Sequence, residues 1–564
     1  MHRGAAAVLL VLLVSTDVLA SPPETLRVAS VQMQISDDIG VNLERILRGV
    51  EEGKEAGARV VLFPETALSG FFRPTVESLD FSQVRGAMTR IAEAAKAAGI
   101  YVLYGCATEN AGGRPRNSAL VVGPDGNEVA RYHKMFPESW FAAGDRLALF
   151  EVDGIPCTLM ICHDERFPEL LRIPVLAGAQ VCFYISYEVN APEAARRKAE
   201  GYRAQLIARA AENGVWVAQS NGVGPLPEGE RVSLGQSRLV APDGTVVTEA
   251  PALEESLLVV DIQPEKARRG NALESLGNPL VAAWWRAGME LLDIPPRRET
   301  AVPLRDTVRL GLMQGMPKKW DLEANMDTFL QVLKTASEHG VELFVTPECW
   351  LDGYAAPDRA STPKKLRAVS QDPETSPLLR RVAEEAAARG MHICFGFSSI
   401  EDGKTYNAAG LWDDSGKLVG IYHKTHLQTH DLQYSPGMDL PVWPTPWGPV
   451  GIMICADRRW PETARTLRLK GARLILNPTY GMRHEANEWW MRTRGYENQC
   501  YVAFAHPGVG FVVNPKGELS GKRDSEEPGV LVCEVDLSKA KDDNHLRDRR
   551  PDLYGVLVSP VLRD

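Results

Sequence analysis

The chain has 564 residues, 44% of them hydrophobic and 24% charged, which is ordinary globular composition and enough for two to four domains. Its net charge of −10, with no long basic run, argues against a nucleic-acid partner and leaves a mildly acidic, soluble surface.

In chain order, the N-terminus comes first. Met1-His-Arg3 carries positive charge, Ala5 to Val14 is continuously apolar, and Val18-Leu-Ala20 precedes Ser21. This is the layout of a secretory signal, residues 1–20, with a small-residue cleavage site after Ala20. The apolar run is about half of what a bilayer span needs. The expectation is therefore a secreted or periplasmic protein with no membrane attachment once the signal is removed. Nine cysteines would permit disulfides there. Most of them, however, sit singly in apolar strand-like runs such as Val181-Cys-Phe and His392-Ile-Cys-Phe, and read as core thiols.

The chain then repeats itself. Leu26-Arg-Val-Ala-Ser-Val-Gln-Met-Gln matches Val308-Arg-Leu-Gly-Leu-Met-Gln-Gly-Met, and Val60-Val-Leu-Phe-Pro-Glu65 matches Leu343-Phe-Val-Thr-Pro-Glu348. Arg131-Tyr-His-Lys134 matches Ile421-Tyr-His-Lys424, and the stretches ending Arg209-Ala-Ala-Glu-Asn213 and Arg494-Gly-Tyr-Glu-Asn498 also correspond. Order and spacing hold throughout, so one domain has been duplicated. The first copy runs over residues 26–262, a connector over 263–307, the second copy over 308–536 and a charged tail over 537–564. Tryptophans in Leu280-Val-Ala-Ala-Trp-Trp285 suggest that the connector packs against a domain. Trp489-Trp490 reads as helix packing.

Within a copy, short alternating strands are joined by turn signals such as Pro124-Asp-Gly126 and Pro515-Lys-Gly517. Amphipathic helices lie between them; Leu43, Ile46, Leu47 and Val50 form one apolar face. The mixture predicts α/β layers on a partly antiparallel sheet.

Two further copied stretches carry the chemistry: Leu159-Met-Ile-Cys162-His-Asp-Glu-Arg-Phe-Pro-Glu169 and Ile452-Met-Ile-Cys455-Ala-Asp-Arg-Arg-Trp-Pro-Glu462. A thiol between a strand's C-terminal end and the next helix's N-terminus sits near partly positive N–H groups, which favour thiolate. Glu65, Lys134 and Cys162, and then Glu348, Lys424 and Cys455, each follow an apolar strand segment. Buried Glu and Lys are costly unless paired or used. Brought together, the carboxylate would take the thiol proton and the sulfur would attack an electrophilic carbon. The ammonium would stabilise charge building on the carbonyl oxygen, and the carboxyl would then protonate the leaving amine and activate water.

These motifs resemble the nitrilase, or carbon–nitrogen hydrolase, superfamily. The resemblance rests on Phe-Pro-Glu65, Tyr-His-Lys134, the Cys162 stretch and their second copies. It implies an αββα sandwich per copy and two cofactor-free Glu-Lys-Cys sites. The implied activity is hydrolysis of a non-peptide C–N bond in a small amide, carbamoyl compound or nitrile. It also implies a second carboxylate before a glycine: Glu138 before Gly144, and Asp431, shorter by one methylene, before Gly437. Members pair subunits through the helix after the cysteine, and two copies in one chain could form that pair internally, with higher oligomers open. Cys455-Ala-Asp-Arg-Arg resembles the N-carbamoyl-amino-acid hydrolase branch, making Arg458 and Arg459 candidates for a substrate carboxylate, or one of them a brace for the helix start. Glu165-Arg166 in the first copy would disfavour an anion. His423, His426 and His430 straddle Lys424 without a helical pattern, so no metal site is expected. Two other readings stand beside hydrolysis at both sites: acyl transfer to an amine, and one copy serving as a binding or scaffolding partner.

Overall fold

The computed structural model describes residues 23–226, 230–277, 305–431, 433–541 and 544–549. The signal-like segment, Leu280 to Trp285 and the end of the tail lie outside the described residues. Among the described residues no helix is long and apolar enough to cross a membrane.

Each copy holds two six-stranded sheets packed face to face. In the first copy one sheet runs, in spatial order, Ser256–Ile262, Leu26–Gln32, Val60–Leu62, Tyr101–Thr108, Arg116–Val122 and Glu128–His133. The other runs Val246–Glu249, Arg238–Val240, Trp216–Asn221, Val181–Ser186, Ile155–Ile161 and Phe150–Val152. Central strands pair in parallel and outer ones antiparallel, giving the mixed sheet that the turn signals predict.

Side-chain alternation builds the layers. Val60 and Leu62 point between the sheets to meet Leu159, Ile161, Phe183 and Trp216. Val61 points the other way, against Ile46 and Val50 of α1 (Ile39–Glu55) and Ile91 of α2 (Phe81–Ala98). Asp38 caps α1 by accepting from the N–H groups of Gly40 and Val41. On the far side, α3 (Pro168–Leu176) and α4 (Pro192–Asn213) cover the second sheet with Leu171, Val175, Leu206 and Ile207. The result is helix, sheet, sheet, helix. The second copy repeats it, and α5 (Gly270–Gly277) closes the first copy.

The copies meet through their inner helices. The second contributes α8 (Pro461–Leu469) and α9 (Ala486–Asn498), counted after its outer helices α6 (Leu322–Glu338) and α7 (Pro377–Arg389). Ile173, Ala208 and Ala211 join the second copy's core, and Trp489 packs against both copies. Among the described residues, the buried charges at the seam include a network of two arginines and two glutamates. Arg209 pairs with Glu212 and reaches across to Glu497, while Arg494 pairs with Glu497 and reaches across to Glu212. The same arginines brace the turns after the motif cysteines: Arg209 Nε donates to the Glu165 carbonyl at 2.8 Å and Arg494 Nε to the Arg458 carbonyl at 2.9 Å. All nine cysteines are buried free thiols.

Candidate active sites

In the first copy three strand ends converge between the sheets. Val60–Leu62 delivers Glu65 in a tight turn, with Thr66 in the left-handed region at φ 52°. Glu128–His133 delivers Lys134, and Ile155–Ile161 delivers Cys162, itself at φ 43°. Left-handed backbone at a cysteine is costly and persists only where the surroundings impose it. Lys134 Nζ donates to Glu65 Oε1 at 2.6 Å and to both Glu138 oxygens at 3.2 Å. Glu65 is fully buried and satisfied: Oε1 also accepts from Asn117 Nδ2 at 2.7 Å, and Oε2 from the Tyr187 N–H at 3.0 Å.

The second copy repeats this arrangement. Lys424 Nζ donates to Glu348 Oε1 at 2.8 Å and to Asp431 Oδ2 at 2.6 Å. Asn407 Nδ2 and the Tyr480 N–H complete Glu348 at 2.7 and 2.9 Å. Cys455 stands at φ 46°, and Cys349, the residue after Glu348, at φ 43°. The shorter Asp431 loses nothing in reach. A 3₁₀ turn, Thr429–Asp431, carries it to the lysine, and Tyr354 Oη donates to its other oxygen at 2.7 Å. The glycines that follow allow a close approach: a Cβ on Gly144 or Gly437 would fall 2.1 Å from the carbonyl oxygen of His133 or His423.

The charges in the first site are set by burial. Loss of solvent raises the Glu65 carboxyl, partly opposed by Lys134. Burial also works against the Lys134 ammonium, but Glu65 and Glu138 outweigh it and hold the amine above the ordinary lysine value. The Cys162 thiol is pushed well up, first by burial and then by Glu65, with Lys134 pulling the other way. This corrects the expectation of a stabilised thiolate. Cys162 opens a single 3₁₀ turn, Cys162–Arg166, rather than the helix, and α3 starts only at Pro168. The helix dipole therefore acts from a distance while carboxylates act at close range. A buried carboxyl with a raised pKa beside a protonated thiol is a matched acceptor for its proton.

The paired arginines separate. Arg458 turns inward, fully buried, donating to Cys455 Sγ at 3.4 Å and to Asn487 Oδ1 at 2.5 Å. Arg459 turns toward the rim, onto Gln428 Oε1 at 2.9 Å. They do not form one fork. The three histidines also point apart: His423 bonds Glu401, His426 bonds Asp457 and stacks on Trp460, and His430 bonds Tyr354.

Two residue pairs escaped the sequence reading. Asn117 and Asn407 lie 17 residues before their lysines and pair with them on the neighbouring strand, so equal spacing was the available signal. Asp164 and Asp457, two residues after each cysteine, tie the cysteine turn to the lysine loop. Asp164 accepts from Tyr132 Oη at 2.7 Å and from the Phe136 N–H at 3.1 Å, and Asp457 from Tyr422 Oη at 2.7 Å and the His426 N–H at 2.9 Å.

The carbon–nitrogen hydrolase family profile matches residues 27–271 and again 309–544, together most of the chain. A curated relative, "Hydrolase in pqqF 5'region" of Pseudomonas protegens, is 32% identical over 272 residues, spanning 44% of this chain and 92% of the relative. Omega-amidase NIT2-A of Xenopus laevis is 30% identical over 279 residues, spanning 44% of this chain and 97% of the relative. A crystal structure of an amidase from Nesterenkonia sp. aligns at 26% identity over 45% of this chain and 96% of that one, with a TM-score of 0.40.

Proposed function

This chain belongs to the carbon–nitrogen hydrolase family, and from that premise we propose that it hydrolyses small amides at two sites, each through its own cysteine thioester. The observation that carries the reading is the lysine in each copy. One buried ammonium bonds a fully satisfied glutamate and a second carboxylate at a strand end next to a strained cysteine, twice over.

In the first site Glu65 takes the Cys162 proton as sulfur attacks the amide carbon, and Lys134 faces the oxygen that gains charge. Glu65 returns the proton to nitrogen, ammonia leaves and a thioester remains. Water, deprotonated by Glu65, then releases the acid and restores the thiol. Glu138 holds the Lys134 ammonium in place. Glu348, Lys424, Cys455 and Asp431 have the same roles in the second site. There Arg459 is the group available to a substrate carboxylate, as in the N-carbamoyl-amino-acid branch, because Arg458 is committed to Cys455 and Asn487.

The test is ammonia release across amides, carbamoyl amino acids and nitriles by the wild-type, Cys162→Ala and Cys455→Ala chains. Each single variant is expected to keep part of the activity and part of the substrate range. If one substitution removes all activity and the other none, only one copy is catalytic.

A further inference from the structure

Around the two sulfurs the copies differ in chemical sign. The backbone N–H groups of Tyr187 and Tyr480 make the same bond to Glu65 and Glu348, so the residues that follow, Glu188 and Gly481, are equivalent. A Cβ at Gly481 would lie 3.9 Å from Cys455 Sγ, so this position looks onto the sulfur. In the first copy it bears a carboxylate. The third residue after each cysteine differs in the same sense, with Glu165 in the first copy where the second has Arg458. Behind them, Gln219 and Arg238 are replaced by Phe504 and Phe511, whose rings stack at 4.6 Å.

The first copy's pocket is consequently rich in acceptors. Gln219 Nε2 and Asn221 Nδ2 each donate to Glu188 at 3.1 Å. The Gln219 side chain is buried to 1% exposure, and its Oε1 has no hydrogen-bond partner. Such an acceptor is costly unless a donor arrives. Glu165 is buried and bonded by Tyr184 Oη at 2.7 Å. Arg238, whose charge lowers the Glu188 carboxyl, is itself drawn toward Glu249 at 3.5 Å.

We propose that Glu188 is a specificity-determining residue of the first site, holding a protonated amine on the acyl part of the substrate, and that the second site disfavours such substrates. The inference rests on the reading of Cys162 as a nucleophile. Loss of solvent and the neighbouring Glu165 push the Glu188 carboxyl up to about 8, as for a group short of a counter-charge that a cationic substrate would supply. In the second site Arg458 faces the sulfur from the matching position, and an ammonium there would meet like charge.

The experiment uses the full chain with Cys455→Ala, so that the first site alone turns over. Its probes are primary amides with four- and six-carbon acyl chains ending in ammonium, methyl or carboxylate. The expected kcat/KM is about tenfold or more higher for ammonium than for methyl, the scale of one charge-assisted hydrogen bond. Adding Glu188→Gln should bring that ratio close to one, and the Cys162→Ala chain should rank ammonium last. Hydrolysis by the Cys455→Ala chain without an ammonium preference overturns the role of Glu188 and leaves Cys162 catalysis standing. A preference that survives Glu188→Gln does the same. Loss of hydrolysis of every probe in the Cys455→Ala chain, with the wild type active, overturns catalysis at Cys162 and the subsite with it.

Discussion

The two sites agree in the residues proposed to make and break bonds and differ in those proposed to choose a substrate. Lysine, glutamate, asparagine and the tyrosine N–H superpose in role and nearly in distance, from 2.6 to 3.0 Å in both copies. The positions that look onto the sulfur hold Glu165 and Glu188 in one copy and Arg458 and Gly481 in the other. Even within the framework, one role is filled in two ways. Glu138 lies four residues after Lys134, whereas Asp431 lies seven after Lys424 and makes up its missing methylene with a 3₁₀ turn. Duplication thus preserves the strand-end geometry, which many contacts determine jointly, and leaves single side chains around it to diverge.

The comparison breaks most readily at the cysteines. Adding Cys162→Ala to a Cys455→Ala chain, or the reverse, should lower ammonia release by about 10⁴-fold or more, whereas either substitution alone leaves the other site turning over. Next come the bases. Glu65→Gln and Glu348→Gln, each in a chain with the other cysteine replaced, should lower kcat by about 10²–10⁴-fold; an unchanged kcat would assign the proton to another group. The seam should fail for both sites together. Glu497→Gln leaves Arg209 and Arg494 facing a broken network, with an expected loss of about 3–5 kcal/mol in urea unfolding and a parallel loss of both activities. Burial raises and Arg494 and then Arg209 lower the Glu497 carboxyl, with a net lowering, so its contribution is present above the unfolded value of about 4.3 and disappears as pH falls through the depressed folded value.

Smaller effects sharpen the contrast. In the Cys162→Ala chain, Arg459→Gln should raise KM for a carboxylate-bearing amide by about tenfold or more and leave a neutral amide's KM much less affected, consistent with a lost charged hydrogen bond. The smallest effect is in pH. As the proposed base, Glu65 must be ionised to act, and burial raises its carboxyl. The acid limb of kcat/KM in the Cys455→Ala chain should therefore lie above the ordinary glutamate value of about 4.3. A limb at or below that value would remove Glu65 from the role.

Much of this was legible in the sequence because it repeats. Glu65, Lys134 and Cys162 follow apolar strands in fixed order, and a second copy with the same order makes coincidence a poor account. The layers followed from periodicity, since Val60 and Leu62 face one way and Val61 the other. Other features were not legible, for identifiable reasons. The N–H groups of Tyr187 and Tyr480 are backbone and carry no side-chain signature. At Cys162 the thiolate expectation failed because burial, and after it Glu65, raise the thiol, while a 3₁₀ turn separates the cysteine from α3. Adjacent arginines stood as joint candidates for one substrate carboxylate, but successive residues of a tight turn point apart, one to Cys455 and one to Gln428. The Arg209–Glu497 pair joins residues 288 apart, and neither sequence copy names the other as its partner.

The most direct measurement of the central claim is the mass of acid-quenched wild-type protein during turnover of a neutral amide, followed by peptide mapping. The account predicts acyl adducts on two peptides, one containing Cys162 and one containing Cys455, and none when Glu65 and Glu348 are both replaced by glutamine. An adduct confined to one of these cysteines, or found on another residue, would contradict it.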